Sequence, residues 1–113
     1  MDLRWIAGAL LAGLVSTPAA ANPTHRHLQQ LSEPERSAVL AKLVRNGGET
    51  CPAVTRTFFQ GSDKTGAAFW NVQCAGGKAW SIMIRNDRTG SARYVDCEVM
   101  ESLEAGMCFK RFR

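Results

Sequence analysis

The sequence predicts an α+β fold: an N-terminal helix packed on a four-stranded antiparallel β-meander, with a short C-terminal helix and two disulfides. Three observations predict it. A capped segment with apolar residues at helical spacing stops at Asn46-Gly47-Gly48. Four short runs rich in β-branched and aromatic residues follow, separated by tight Gly- and Asp-containing turns. Four cysteines, Cys51, Cys74, Cys97 and Cys108, stand in the same region with no C-x-x-C pair among them.

Residues 1–21 read as a signal peptide. Arg4 supplies positive charge, residues 5–15 form an apolar run, Ser16-Thr17-Pro18 breaks it, and Ala19-Ala20-Ala21 offers the small residues a signal peptidase reads. The run is shorter than the roughly 20 apolar residues a membrane span needs. The competing reading is a buried N-terminal helix. Cleavage after Ala21 would leave a chain with no membrane span, placed in the periplasm or secreted. The Ala-rich style of the segment suits a bacterial source.

Residues 22–31 are polar, carry Pro23 and read as a flexible leader. Residues 32–113 suit one disulfide-stabilised domain with one core. Its helix opens with Ser32 as N-cap and Glu35 three residues on, a capping box. Pro34 lies in the first turn, where its missing N–H costs nothing. Val39, Leu40, Leu43 and Val44 form one apolar stripe, with Arg36, Lys42 and Arg45 toward solvent.

Strands are expected over residues 54–60, 68–75, 79–85 and 92–97. Their short connections demand antiparallel neighbours. A three-residue loop over 76–78 sets Cys74 opposite Trp80, Val72 opposite Ile82 and Trp70 opposite Ile84. A four-residue loop over 87–90 sets Ile84 opposite Arg93, Ile82 opposite Val95 and Trp80 opposite Cys97. The apolar members then share one face, which the helix should cover with Trp70 and Trp80 as anchors. Residues 98–105 carry Val99, Met100 and Leu103 and suggest a short helix ended by Gly106.

An even number of cysteines in a short exported chain reads as a disulfide framework rather than a zinc site, whose ligands usually come in close pairs. In this register Cys74 and Cys97 lie two strand spacings apart, about 9.5 Å. A bridge needs Cα atoms within roughly 7 Å. Cys51 lies just before the first strand, whose Ala53 or Val54 should sit opposite Cys74, and Cys108 returns after a short helix that begins beside Cys97, so the expected pairs are Cys51–Cys74 and Cys97–Cys108.

No set of residues meets the demands of catalysis. Both histidines, His25 and His27, lie in the leader, away from any Cys, Asp or Glu that would complete a metal site. Glu98, Glu101 and Glu104 describe a solvated helix face, and Asp63 and Asp87 fit turns. No cofactor or metal is implied. The formal charge of +4, unchanged by loss of residues 1–21, comes with no nucleic-acid motif, so no specific nucleic-acid partner is implied.

The remaining surface is the second face of the sheet. The same register places Phe69, Asn71, Met83, Arg85 and Tyr94 there, and aromatic residues, Met and Arg are types enriched at protein interfaces. The alternatives are an ordinary solvated face, or one buried by Val99, Met100 and Leu103. The segments Phe69-Trp70-Asn71-Val72-Gln73-Cys74, Trp80-Ser81-Ile82 and Val95-Asp96-Cys97 resemble a group of small exported bacterial proteins with no assigned activity. That resemblance, over roughly residues 51–109, implies an exported, disulfide-bearing sheet and carries no catalytic residues. The function expected is a non-enzymatic binding or accessory module whose partner is a protein or other envelope component. The alternative is a small secreted enzyme or enzyme inhibitor acting through loop residues such as 62–66. Oligomeric state is left open.

Overall fold

The structure is a computed structural model and describes residues 22–112. The expected signal peptide lies outside the described residues. The elements run α1 (Pro23–Gln30), α2 (Glu33–Asn46), β1 (Val54–Ser62), β2 (Ala68–Cys74), β3 (Ala79–Ile84), β4 (Ala92–Asp96) and α3 (Cys97–Ser102). The four strands form one antiparallel sheet in the order β1-β2-β3-β4. The α+β fold is as the sequence predicts, with one helix more.

That helix is α1, where a flexible leader was expected. Asn22 caps it through its side-chain oxygen, which accepts the His25 N–H, and Pro23 opens its first turn. The helix has a single large aliphatic residue, Leu28, in its last turn, and that residue is fully buried. Polar groups do the rest of the docking. The Asn22 amide nitrogen Nδ2 donates to Gly66 O at 2.9 Å and Ile84 O at 3.0 Å. Gly90 takes φ +66°, and a Cβ there would sit 2.1 Å from Thr24 Oγ1, so glycine lets α1 close on the β3–β4 loop.

His25 is buried in the same contact. Its Nδ1 accepts the Trp70 Nε1–H at 2.9 Å, and its ring lies 4.5 Å from that of Phe59. His27 is exposed, so the two imidazoles do not act together. Burial pushes the His25 pKa below its ordinary 6.5. The unfolded chain therefore takes up this proton first on acidification. Stability is expected to fall as pH drops below about 6.5, by at most about 1.4 kcal/mol per pH unit. Protonation of Nδ1 also removes the acceptor that Trp70 needs. Melting curves between neutral pH and pH 5 should show this slope, and His25→Gln, which has no titrating proton, should flatten it. An unchanged slope in the variant would mean that other groups cause the acid loss.

The capping box at Ser32 and Glu35 forms as expected, and Gly47 ends α2. Leu40, Ala41 and Val44 are its buried residues, while Val39, expected in the stripe, is exposed. Arg36, expected in solvent, folds back instead. Its guanidinium donates to Leu28 O and Leu31 O, each at 2.9 Å, which satisfies the carbonyls at the end of α1. The core lies between the two helices and one sheet face, around Trp70, Val72, Trp80, Ile82 and Ile84. Both disulfides form as expected, Cys51–Cys74 and Cys97–Cys108.

The registers differ from expectation in two ways. Between β2 and β3 the pairs are Val72 with Trp80 and Trp70 with Ile82, closed by Cys74 N–H donating to Lys78 O at 2.8 Å. The loop covers residues 75–77, one position earlier than expected, and the partner of each residue moves by two. Side chains alternate with period two, so every residue keeps its face. Between β3 and β4 the pairs are Ile84 with Ala92, Ile82 with Tyr94 and Trp80 with Asp96. The partner moves by one, and every side chain of β4 changes face.

The β3–β4 loop explains the second difference. Arg85 N–H donates to Ser91 O at 2.9 Å, so the loop holds five residues, 86–90, rather than four. Asp87 builds it. One carboxylate oxygen accepts the N–H groups of Thr89, Gly90 and Ser91 and the Thr89 hydroxyl, and the other accepts the Ser91 hydroxyl. These bonds, the Ser91 hydroxyl foremost and Thr89 next, hold its pKa down at about 2.

Candidate functional site

The face of the sheet turned away from the helices carries Phe58 on β1, Phe69 and Asn71 on β2, Ser81 and Met83 on β3, and Arg93 and Val95 on β4. Of the five residues the sequence proposes for binding, Phe69, Asn71 and Met83 are brought together here, and Arg85 continues the Met83 row beyond β3. Tyr94 is not among them. The one-residue shift turns it to the helix side, where it packs against the core and its hydroxyl donates to Leu43 O at 2.7 Å. Arg93 and Val95 take its place.

The C-terminal segment covers half of this face. Asp96 caps α3 through the Glu98 N–H, and the Cys97–Cys108 bridge turns the chain back toward β1. Asn71 pins it there. This side chain is fully buried, its Oδ1 accepts the Phe109 N–H at 2.7 Å, and its Nδ2 donates to Gln60 Oε1 and Ser81 Oγ. Asn71 is therefore a structural pin rather than a border residue of an open face.

Gln60 is the second pin, and sequence reasoning missed it. Register shifts on β1 leave Thr55 and Gln60 as extra residues, two β-bulges. The bulge turns Gln60 inward, and its Nε2 donates to Met107 O at 2.8 Å and Lys110 O at 3.1 Å. Its own carbonyl accepts the Phe112 N–H at 3.0 Å. Aromatic contacts complete the cover. Phe112 meets Phe69 edge-on at 5.3 Å, and Arg56 stacks on Phe109 at 4.2 Å. A polar residue at the end of an apolar strand run, beside a glycine at 61, was the available signal.

The cover stops short of β4. Between the end of α3 and the sheet lies an apolar groove of about 270 Å³ lined by Phe69, Met83, Val95, Met100, Leu103 and Ala105, with Ser81 at its floor and Arg93 at its rim. Leu103 is 71% exposed and Val95 41%, so the groove presents large apolar side chains to solvent. The alternative in which Val99, Met100 and Leu103 bury this face is met only by half-buried Met100, because Val99 and Leu103 are both exposed.

The polar clefts offer less. A cleft of about 500 Å³ runs beside the Cys97–Cys108 bridge, between the β2–β3 loop and α3, and contains Lys78, Asp96, Glu98 and Glu101. Lys78 is ion-paired with Asp96, which holds the ammonium pKa up and the carboxyl down. In the 62–66 loop, Asp63 spends one carboxylate oxygen on the Thr65 N–H and hydroxyl and the Ala67 N–H. Among the described residues, no three His, Cys, Asp or Glu side chains are grouped as a metal would require, and no helix is long and apolar enough to cross a membrane. Comparisons with protein-family models, curated proteins and solved structures return no match.

Proposed function

We propose that the protein is an exported, non-enzymatic binding module whose groove beside Met83 and Leu103 receives apolar side chains of a polypeptide partner, in the periplasm or outside the cell. The groove carries the reading. Exposed Leu103 and Val95 stand beside Phe69 and Met83 in one apolar concavity, and Met lets such a surface adapt to irregular partners. Its composition, with Phe69, two methionines and Arg93 at the rim, matches the residue types enriched at interfaces. Export is supported by the order of charged, apolar and small residues over 1–21 and by two disulfides, which are compatible with an oxidising compartment.

Two measurements test this. N-terminal sequencing of the protein from its native host should begin at Asn22, and a chain that keeps residues 1–21 would defeat the export reading. For the groove, Leu103→Glu should melt within a few degrees of the parent, because exposed substitutions change stability by only about 0.5 kcal/mol. It should nevertheless abolish partner capture from the native compartment, whereas Val39→Glu on the far side of α2 should not. Equal capture by both variants would remove the groove from consideration.

A further inference from the structure

The two edges of the sheet are treated differently. The β1 edge is broken by bulges at Thr55 and Gln60, and the C-terminal segment crosses it where Phe112 N–H donates to Gln60 O. Bulges and covering segments are the usual protection of an edge against further pairing. Among the described residues the β4 edge has neither: its register against β3 is unbroken from Ala92 to Asp96.

Hydrogen-bond alternation shows what that edge offers. Arg85 N–H donates to Ser91 O, so these two form a hydrogen-bonded pair. In an antiparallel ladder such pairs alternate with non-bonded ones. The pairs of Met83 with Arg93 and Ser81 with Val95 are then bonded, and those of Ile84 with Ala92 and Ile82 with Tyr94 are not. The backbone N–H and C=O groups of Ala92 and Tyr94 therefore point away from β3, and no other group among the described residues takes them up.

We propose that the β4 edge takes up an extended peptide, which adds as a fifth strand and carries an acidic and an apolar side chain two residues apart on its groove-side face. This rests on the reading of the domain as a polypeptide-binding module, and it states where the partner backbone lies. Strand addition draws affinity from main-chain bonds and specificity from alternate side chains. Here Ala92 and Tyr94 supply the main-chain groups. Apolar side chains of the added strand lie beside Val95 and exposed Leu103 at the groove. Charge selects the rest. Arg93 is exposed and Arg88 stands exposed in the adjoining loop, while the ion pairs among the described residues are Arg36–Glu33 and Lys78–Asp96. An acidic side chain opposite Arg93 completes a cross-strand pair. A second copy of this chain fits worse, since pairing through β4 would bring together Arg88 and Arg93 of two chains that each carry +4.

The test uses the isotope-labelled mature protein and a blocked nine-residue threonine peptide whose even positions are valine and glutamate by turns, so that both fall on one face of the strand. The same peptide with lysine in place of glutamate serves as control. Binding should slow exchange of the Ala92 and Tyr94 amides by about tenfold or more at saturation, and leave Arg93 and Val95, already bonded to β3, unchanged. Ala92→Pro removes an N–H that no ladder bond uses, at the first residue of an edge strand, where proline is tolerated. It should keep its melting temperature and weaken peptide binding by about tenfold or more. Arg93→Glu should reverse the preference toward the lysine peptide. Binding without protection of the Ala92 and Tyr94 amides, equal binding by Ala92→Pro, no binding at millimolar peptide, or self-association abolished by Ala92→Pro would each overturn the proposal. Groove-dependent partner capture that persists in Ala92→Pro would overturn the edge alone and leave the groove reading standing.

Discussion

Asn71→Ala is expected to destabilise the domain by about 3 kcal/mol and to free the C-terminal segment from the sheet. The side chain is fully buried and serves three partners, Phe109 N–H, Gln60 Oε1 and Ser81 Oγ. Alanine removes all three bonds at once. It leaves the Phe109 N–H and the Gln60 side-chain Oε1 under cover without a partner, and each such orphan costs about 1–3 kcal/mol. For a domain of this size the melting temperature should fall by roughly 15 °C. The effect is also local. Amide exchange at Phe109 and Phe112 should rise before that of β2 or β3, because the tail loses its pin while the helix-side core is untouched. Ser81→Ala, which removes one weak acceptor at 3.3 Å, should cost about 1 kcal/mol or less. Comparable losses in the two variants would contradict a central role for Asn71.

Removing the Cys51–Cys74 bridge should cost as much. Its loop spans a sequence separation of 23, for which the chain-entropy estimate is about 3 kcal/mol. Both cysteines are buried against the helix-side core, so a Cys51→Ala, Cys74→Ala pair also loses packing. The bridge joins the α2–β1 connection to the end of β2. Its loss should therefore loosen the start of β1, near Val54, and leave the groove intact. Guanidinium unfolding of the double variant should show a lower midpoint and a steeper slope, because the unfolded chain expands when the link is gone. A midpoint within error of the parent would mean that the bridge adds nothing to folding.

How far the sequence reveals this molecule depends on what each signal constrains. The start of α2 is legible because a capping box fixes a boundary locally. The faces of β2 and β3 are legible because their apolar residues alternate, and an even register error leaves alternation intact. The disulfide pairs are legible for a related reason: register errors of one or two residues still leave Cys74 beside the start of β1 and two strands away from Cys97. Tyr94 is misplaced because one added loop residue reverses a whole strand. Asp87-x-Thr89-Gly90-Ser91 carries the signal, a carboxylate with enough donors downstream to close a five-residue loop. Helix α1 is hidden by its composition. It docks mainly through Asn22, His25 and an Arg36 from the next helix, which apolar periodicity does not register, although an Asn before a Pro is a helix-start signal. The groove is legible only in half. Phe69 and Met83 follow from alternation on β2 and β3, whereas the walls of Met100, Leu103 and Ala105 depend on where the Cys97–Cys108 bridge and the Asn71 and Gln60 pins send the tail.

The central claim is that the groove between the sheet and the end of α3 holds a polypeptide partner. Photo-crosslinking in the native compartment tests it most directly, with the crosslinking residue placed at Val95, which faces the groove, or at Val39 on α2 as a control. The account predicts a discrete polypeptide adduct from position 95 that disappears when Leu103→Glu is added, and none of that mass from position 39. An adduct that forms equally from both positions, or one from position 95 that survives Leu103→Glu, would contradict it.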